Sequence, residues 1–570
     1  MEKIIRVDMT EKRFTTEKTS SDYQLLGGRG LSARILDNEV PGFVHPLSSE
    51  NKLIIAPGLL AGTMAPSFGR ISCGAKSPLT NTIKESNAGG TAAQKLDRLG
   101  VKAIIIQGKP KDHQPHVLVI SPEEIKLFPA PELAGKTNYE LVRRLRETYG
   151  KHTGVISIGP AGEAKMAAST IAVTDRDGRP ARQAGRGGLG AVMGSKGIKA
   201  IVLRAEGTKP PDVKDKNAFR AAVKELVEIL KQDKGSQSYS QWGTPGAIKF
   251  LSRLGSMPSW NYHGGVVEGI EHIYGEQIAQ INRSRGGRMH GCMPGCVVQC
   301  SVVFHGDDGT HLTSALEYET LAMLGTNLAI TNLDAIARMD RRCDELGVDT
   351  IETGSAIAQA MEAGAIQFGD EQRVLEVLQE IGEGGFLGKV VGQGAAFTAR
   401  YFGLDRVPTV KGQGIPAHDP RACKAVGVTY SVSPMGADHT AGIDYRNSLS
   451  PEGKATTSKE KQILMATTDT VGYCFLALPT DWRVIYEMFM KLLNARYGTD
   501  LKQQDVKNMG ICALRDEFAF NRSAGWTEAQ NRLPEFMRTE ELPPNNVVFD
   551  IAQEEIDGIY KELALSITDG

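Results

Sequence analysis

Residues 204–217 read RAEGTKPPDVKDKN, and the chain changes character across them. Before them, short β-rich runs alternate with glycine and proline: Lys3–Val7, Lys52–Ile55, Lys102–Gln107, His116–Ile120, Val155–Ile158 and Lys199–Leu203. Pro210 and Pro211 then close the region as a linker. After them Phe219, Val223, Leu226, Val227 and Leu230 recur at helical spacing behind Asn217, which reads as the N-cap. Helical patterns continue over Leu333–Leu346, Ile351–Met361, Val374–Ile381 and Trp482–Leu493. The expectation is an α+β chain: a β-rich N-terminal domain over 1–208, then largely helical domains over 209–410 and 411–570. The last boundary rests on a weaker break at Val407–Gly414.

A chain of 570 residues is too long for one core. Lys+Arg 66 against Asp+Glu 67 leaves a net charge of −1, so no basic field awaits nucleic acid or an anionic membrane. Glycine is over-represented, 63 of 570, against a typical ~7%. With only 6% aromatics, that points to tight turns and close backbone approaches. The start, MEKIIRVDMTEKRFTTEK, has no apolar h-region, and the apolar run Leu53–Leu60 is broken by Pro57 and Gly58. It falls short of the ~18 residues of a membrane span, so a cytoplasmic protein is expected.

Segment 288–304, RMHGCMPGCVVQCSVVF, places Cys292, Cys296 and Cys300 in a C-x3-C-x3-C array. Three local thiolates plus one distant one can hold a [4Fe–4S] cluster. Structural zinc prefers paired C-x2-C knuckles, and no second pair exists, although His290 could be recruited. A radical-type open iron site would need a shorter final spacing, early in a barrel. Ligand count and spacing favour iron–sulfur, with the fourth ligand among Cys73, Cys343, Cys423, Cys474 and Cys512.

Two distant segments share a pattern. Asp344–Asp349 reads D-x-x-G-Φ-D, and Asp469–Cys474 reads D-x-x-G-Φ-C. A carboxylate at a helix end can accept two hydrogen bonds from a planar amino-heterocycle, and two copies would suit a ligand with two such arms. Glycine at a helix C-terminus explains the same pattern with no ligand. The run Arg182–Gly190 offers clustered N–H groups and two guanidiniums for an anionic group. Gly69-Arg70 and Asn87-Ala88-Gly89-Gly90 are further candidates, and no P-loop or dinucleotide fingerprint is present.

Together these pieces resemble the tungsten-containing aldehyde:ferredoxin oxidoreductase family over nearly the whole chain. The matching stretches are LLGGRGLSARIL, PLSSENKLIIAPGLLAGTMAPSFGR, KSPLTNTIKESNAGG, SIGPAGE and AGRGGLGAVMGSKGIKAI, then LEYETLAMLGTNLAI, CDELGVDT, PAHDPR and DTVGYCF. The resemblance implies a tungsten bis-pterin held between the N-terminal domain and two helical domains, with molybdenum as the alternative metal. On it, Arg70, Asn87, Gly89, Arg182, Gln183, Gly185 and Arg186 face the phosphate and pterin parts, and Mg2+ bridges the phosphates near the backbone of Asn87 and Gln183. Asp344, Asp349 and Asp469 bind the pterins, Phe475 adjoins them, and Cys474 completes the cluster with Cys292, Cys296 and Cys300.

The catalytic pair falls on Glu319 and His439, with the carboxylate taking a proton from water and the imidazole meeting the carbonyl oxygen. The implied reaction is aldehyde oxidation to a carboxylic acid, with electrons passed to ferredoxin or an iron–sulfur subunit. The alternative is the same scaffold run reductively on a carboxylic acid or activated aromatic. A noncatalytic electron-transfer subunit is disfavoured by the presence of both Glu319 and His439. Two features depart from the family: the first cluster spacing is three residues rather than two, and Arg338 and Arg341 stand where an iron-bridged dimer has Glu-x-x-His. Guanidiniums are not metal ligands, so an oligomer without that bridging iron is expected.

Overall fold

The computed structural model describes residues 2–565. Its N-terminal part is built twice from one pattern. The first sheet runs Arg13–Lys18, Lys3–Asp8, Val101–Gln107, Leu53–Pro57, Ile71–Lys76, Ile83–Ala88. The second runs Ile125–Pro129, His116–Ile120, Ile198–Leu203, Gly154–Ser157, Ile171–Val173, Arg182–Ala184. In each, the first and last strands in sequence pair in parallel and the other neighbours are antiparallel. Helices Gly28–Glu39 and Asn138–Tyr149 occupy equivalent places, as do Ala92–Arg98 and Leu189–Ser195.

Strand alternation builds the layers. Ile5, Val7, Ile55, Ile104 and Ile106 of the first sheet meet Leu118, Ile120, Ile156, Ile201 and Leu203 of the second in one core. The opposite faces, Ile4, Ile54 and Ile105 in one sheet and Val117, Val155 and Val202 in the other, are covered by the helices Gly28–Glu39 and Asn138–Tyr149. Each fully buried aliphatic side chain contributes about 1.5–3 kcal/mol. The sequence pattern had shown strands but not these helices, because short amphipathic helices between glycines look like turn-rich β sequence.

Residues 204–215 carry no helix or strand. The following helix, Lys216–Gln232, is capped by Asp215, whose carboxylate accepts from the N–H groups of Asn217 and Ala218 at 3.0 and 2.9 Å. The cap therefore lies two residues before Asn217, since a carboxylate satisfies both orphan donors where Asn217 already sits inside the first turn. Helices Leu333–Leu346, Thr350–Glu362 and Glu371–Glu383 enclose the expected segments, and Val484–Tyr497 begins two residues after the expected Trp482 start. Hydrophobic packing is continuous across residue 410. No helix among the described residues is long and apolar enough to cross a membrane.

The helical part is fastened to the first sheet by a buried arginine. Arg29 donates from Nε and Nη2 to Glu517 at 2.7 and 2.8 Å and from Nη1 to Asp469 at 3.2 Å. Arg29 and Glu517 are each 1% exposed, so removing one partner strands a desolvated charge. Glu517→Gln is expected to cost about 3 kcal/mol and to move the urea midpoint down; an unchanged midpoint would show that this pair does not hold the helices to the sheet.

Candidate active site and adjoining thiol cluster

The edge strands of the two sheets, Ile83–Ala88 and Arg182–Ala184, pack side by side, and both run into an amide-Ala-Gly sequence: Asn87-Ala88-Gly89 and Gln183-Ala184-Gly185. Each amide points at one Asp-x-x-Gly turn. Asn87 Nδ2 donates to Asp469 at 3.1 Å, and Gln183 Nε2 donates to Asp344 at 2.8 Å. Gly472 and Gly347 follow their helices with φ of 81° and 71°, the left-handed conformation of a C-terminal cap. The glycines thus act as helix C-caps, and the aspartates one turn earlier meet the two edge-strand amides.

Between these edges lies a cavity of about 310 Å³. Arg70, Asn87, Gly89, Arg182, Gln183, Gly185, Arg186, Glu319, Asp344, Asp349, His439 and Phe475 all line it. Asp469 does not, and reaches it through Asn87. The buried guanidinium of Arg182 leaves Nε and Nη2 without partners, and Asp344 Oδ2 has none either. A Cβ on Gly185 would meet nothing nearer than Asp349 Oδ1 at 3.5 Å, so that backbone is open to a ligand. Burial pushes the Asp344 carboxyl up to about 7, against the pull of Gln183 and Arg182. Buried cations, half-neutral acids and unmet donors suit an anionic, nitrogen-rich heterocycle. Arg186 differs: Asp349, Glu352 and the carbonyls of Ala437 and Gly414 engage every one of its nitrogens.

Glu319 opens the helix Tyr318–Met323. Its Oε2 accepts from the Ala417 N–H at 2.8 Å, and His418 Nε2 lies 3.1 Å from Oε1, off the line of a good hydrogen bond. His439 Nδ1 stands 3.9 Å away and has no partner of its own. Burial alone would raise the Glu319 carboxyl, but His439, His418 and the Ala417 N–H together hold it down to about 2. Burial lowers His439 in turn. The resting arrangement is an ionised carboxylate beside imidazoles. His439 is aimed by Asp438, which caps its turn through Thr440 N–H at 3.0 Å and is ion-paired to the buried Lys84 of the edge strand.

The thiols adjoin this cavity. Cys292, Cys300 and Cys474 are buried in one apolar cluster, with Cys296 partly exposed beside them. Of the five candidates for a fourth ligand, Cys474 is the one packed with the three; Cys73, Cys343 and Cys423 lie in other cores. Burial first, then Cys292 and Cys474, pushes Cys296 up to about 12. A Cβ on Gly89, a cavity residue, would come within 2.8 Å of Cys292 Sγ. Among the described residues no three His, Cys, Asp or Glu side chains converge as on a single ion. His290 faces Asp175 at 3.9 Å.

Family models for the aldehyde ferredoxin oxidoreductase N-terminal domain and for domains 2 and 3 match residues 4–205 and 221–564. The chain belongs to the aldehyde ferredoxin oxidoreductase family. Tungsten-containing aldehyde ferredoxin oxidoreductases of Pyrococcus abyssi and Pyrococcus furiosus are 32% and 31% identical to it, over 95% of this chain and 92% of theirs. An aliphatic sulfonate oxidoreductase, WOR-like subunit, of Pyrococcus furiosus is 28% identical over 77% of this chain and 74% of its own. The active site complex BamBC of benzoyl coenzyme A reductase shares the fold, with a TM-score of 0.81 at 20% identity over 98% of this chain and 94% of that one. As a member of the aldehyde ferredoxin oxidoreductase family the protein is an oxidoreductase.

Sequence reasoning about this aldehyde ferredoxin oxidoreductase relative missed His418, Tyr318 and Tyr445, which surround Glu319, and the Lys84–Asp438 pair. PAHDPR carried His418 in plain view. The paired N-A-G and Q-A-G stretches would have revealed the duplication. His418→Leu should let the Glu319 carboxyl climb toward its ordinary range. The sign follows from the depressed value: the stabilising charge is present above the unfolded carboxyl's pKa and lost as pH falls toward about 2. Difference infrared titration against Glu319→Gln reads the shift, and an unmoved carboxyl band would remove His418 from this network.

Proposed function

We propose that the protein is a tungsten bis-pterin oxidoreductase that converts aldehydes to carboxylates. The carrying observation is the paired construction around one cavity: both sheet edges line it, each edge amide is bonded to the aspartate of one Asp-x-x-Gly turn, Glu319 and His439 stand on its wall, and Cys292 of the thiol cluster lies behind Gly89. A ligand with two similar arms meets the two halves of the duplicated sheet. The relatives named as tungsten-containing support the choice of metal.

Arg182 and Asp344 supply the unmet donors and acceptor for one pterin arm, and Arg70, Asn87 and Asp469 the equivalent positions for the other. The backbone of Asn87 and Gln183 would hold Mg2+, which would neutralise the cofactor's phosphates. Bound there, tungsten would take the electron pair released as aldehyde and water become carboxylate, three protons and two electrons, and a [4Fe–4S] cluster on the thiols would relay them singly to ferredoxin or another iron–sulfur protein. Glu319 takes the proton from the attacking water, and its low basicity at rest keeps it unprotonated at neutral pH. His439, whose burial disfavours its charged form against the pull of Glu319 and Asp438, would donate to the carbonyl oxygen as negative charge develops there. Asp438 and Lys84 hold that imidazole in place.

Metal analysis of protein purified without oxygen should find about four irons and one tungsten per chain; zinc with neither iron nor a group-six metal would sink the reading. Glu319→Gln and His439→Ala should each lower kcat by ~10²-fold or more with metals retained. Full activity in either would end that residue's role.

On the face where an iron-bridged dimer would need ligands, Arg338 is exposed, and Arg341 stacks on Tyr139 at 3.5 Å while bonding Glu345 at 2.9 Å. Native mass spectrometry should find no iron shared between chains, and a dimer carrying one such extra iron would refute this.

A further inference from the structure

From the solvent to the Glu319–His439 pair runs an unbroken row of rings. Phe250, half exposed, meets Tyr445 edge-on with centroids 6.0 Å apart. Tyr445 meets His418 at 5.5 Å, and its hydroxyl lies 3.4 Å from both nitrogens of that imidazole. His418 stacks on Tyr318 at 5.0 Å and an interplanar angle of 20°, and lies 6.2 Å from the His439 ring. Ala247 and Ile443 line the cavity and pack against the same core as Tyr445, and the half-exposed Phe250 puts the outer end of the row at the surface.

The charges of the cavity are distributed the other way. Its three arginines are Arg70, Arg182 and Arg186, which lie with the sheet edges and the thiols, and Arg186 is already fully engaged. Cations adjoining the rings have acidic partners of their own: Lys249, next to Phe250, with Glu276 at 3.1 Å, and Arg446, next to Tyr445, and Lys461, beside Gly442, with Asp444 at 2.7 and 3.7 Å. Glu317 and Glu319 both line the cavity. An anionic tail entering here would lose water, gain no counter-charge and approach a carboxylate.

We propose, on the reading of the protein as an aldehyde oxidase, that this ring-lined mouth selects uncharged aryl or arylalkyl aldehydes and excludes aldehydes carrying a second anionic group. Flat rings stack along the row at small conformational cost. The same wall favours release of product, because the carboxylate formed from the aldehyde is the anion it repels.

The test uses the anaerobic holoenzyme, an oxidised viologen as the electron acceptor, and two substrates of one shape, benzaldehyde and 4-formylbenzoate. The expected kcat/KM ratio is about tenfold or more in favour of benzaldehyde, carried chiefly by KM. Ile443→Arg, which sets a cation at the mouth outside the acid–base pair, should narrow or invert that ratio. Equal kcat/KM values in the wild type, or a ratio that Ile443→Arg leaves unmoved, overturn the proposal. If neither aldehyde is oxidised by metal-replete protein, the aldehyde reading fails; saturation-transfer NMR of the two compounds then still reads the mouth. Preferential benzaldehyde binding that Ile443→Arg weakens supports the selectivity, and equal or absent binding of both ends it.

Discussion

Everything in the site depends on two places where backbone touches backbone. A Cβ on Gly58 would lie 2.2 Å from Gly472 Cα, and one on Gly159 would lie 2.1 Å from the Leu346 carbonyl oxygen. No side chain larger than hydrogen fits at either crossing. The approach lets Leu60 and Arg70 donate to the carbonyls of Val471 and Gly472, and Thr170 to that of Gly347, so each helix end is bonded to a sheet loop. The first-turn distance from glycine to aspartate then fixes Asp469 against Asn87 and Asp344 against Gln183. The glycine excess of the composition finds its use here: the contact fastens two helical layers to a duplicated sheet without filling the cavity between them.

Around that joint, buried charge is handled in two ways. Arg29, Arg186 and Lys84 meet carboxylates directly, and such pairs hold position more than they add stability, because desolvation offsets most of the attraction. Arg182 and Asp344 are buried yet incompletely satisfied. Both line the cavity, so their open atoms are within reach of whatever enters it. Their openness marks the direction from which a ligand's own donors and acceptors would arrive.

The switch at 204–217, the strands with alternating or continuous apolar runs, and the long helices were legible because burial imposes period 2 or 3.6 on the chain. Short helices such as Ala92–Arg98 were not, since one turn between glycines has no period to read. Single motifs named the aspartates and the thiols, and the family resemblance named Glu319 and His439, but neither gave their mutual distances. Tyr445 and Lys84 escaped because nothing local distinguishes a lysine destined for a buried ion pair from one destined for water. The duplication escaped for a subtler reason: the two halves share topology and the amide-Ala-Gly step while their core residues differ freely, as packing tolerates exchange among aliphatic side chains.

The last residue of the repeated motif is where the symmetry is broken. In one copy it is Asp349, which caps the helix Thr350–Glu362 and pairs with Arg186 at 3.2 Å. Arg186 also holds the Ala437 carbonyl at 2.7 Å, two residues before His439. In the other copy it is Cys474, packed among Cys292, Cys296 and Cys300. A duplicated scaffold thus ends one arm in a salt bridge that steadies the imidazole and the other in a thiol. On the function proposed above, protons are managed at the first arm and electrons leave by the second. The division of labour thus lies in a single position of the motif rather than in the architecture.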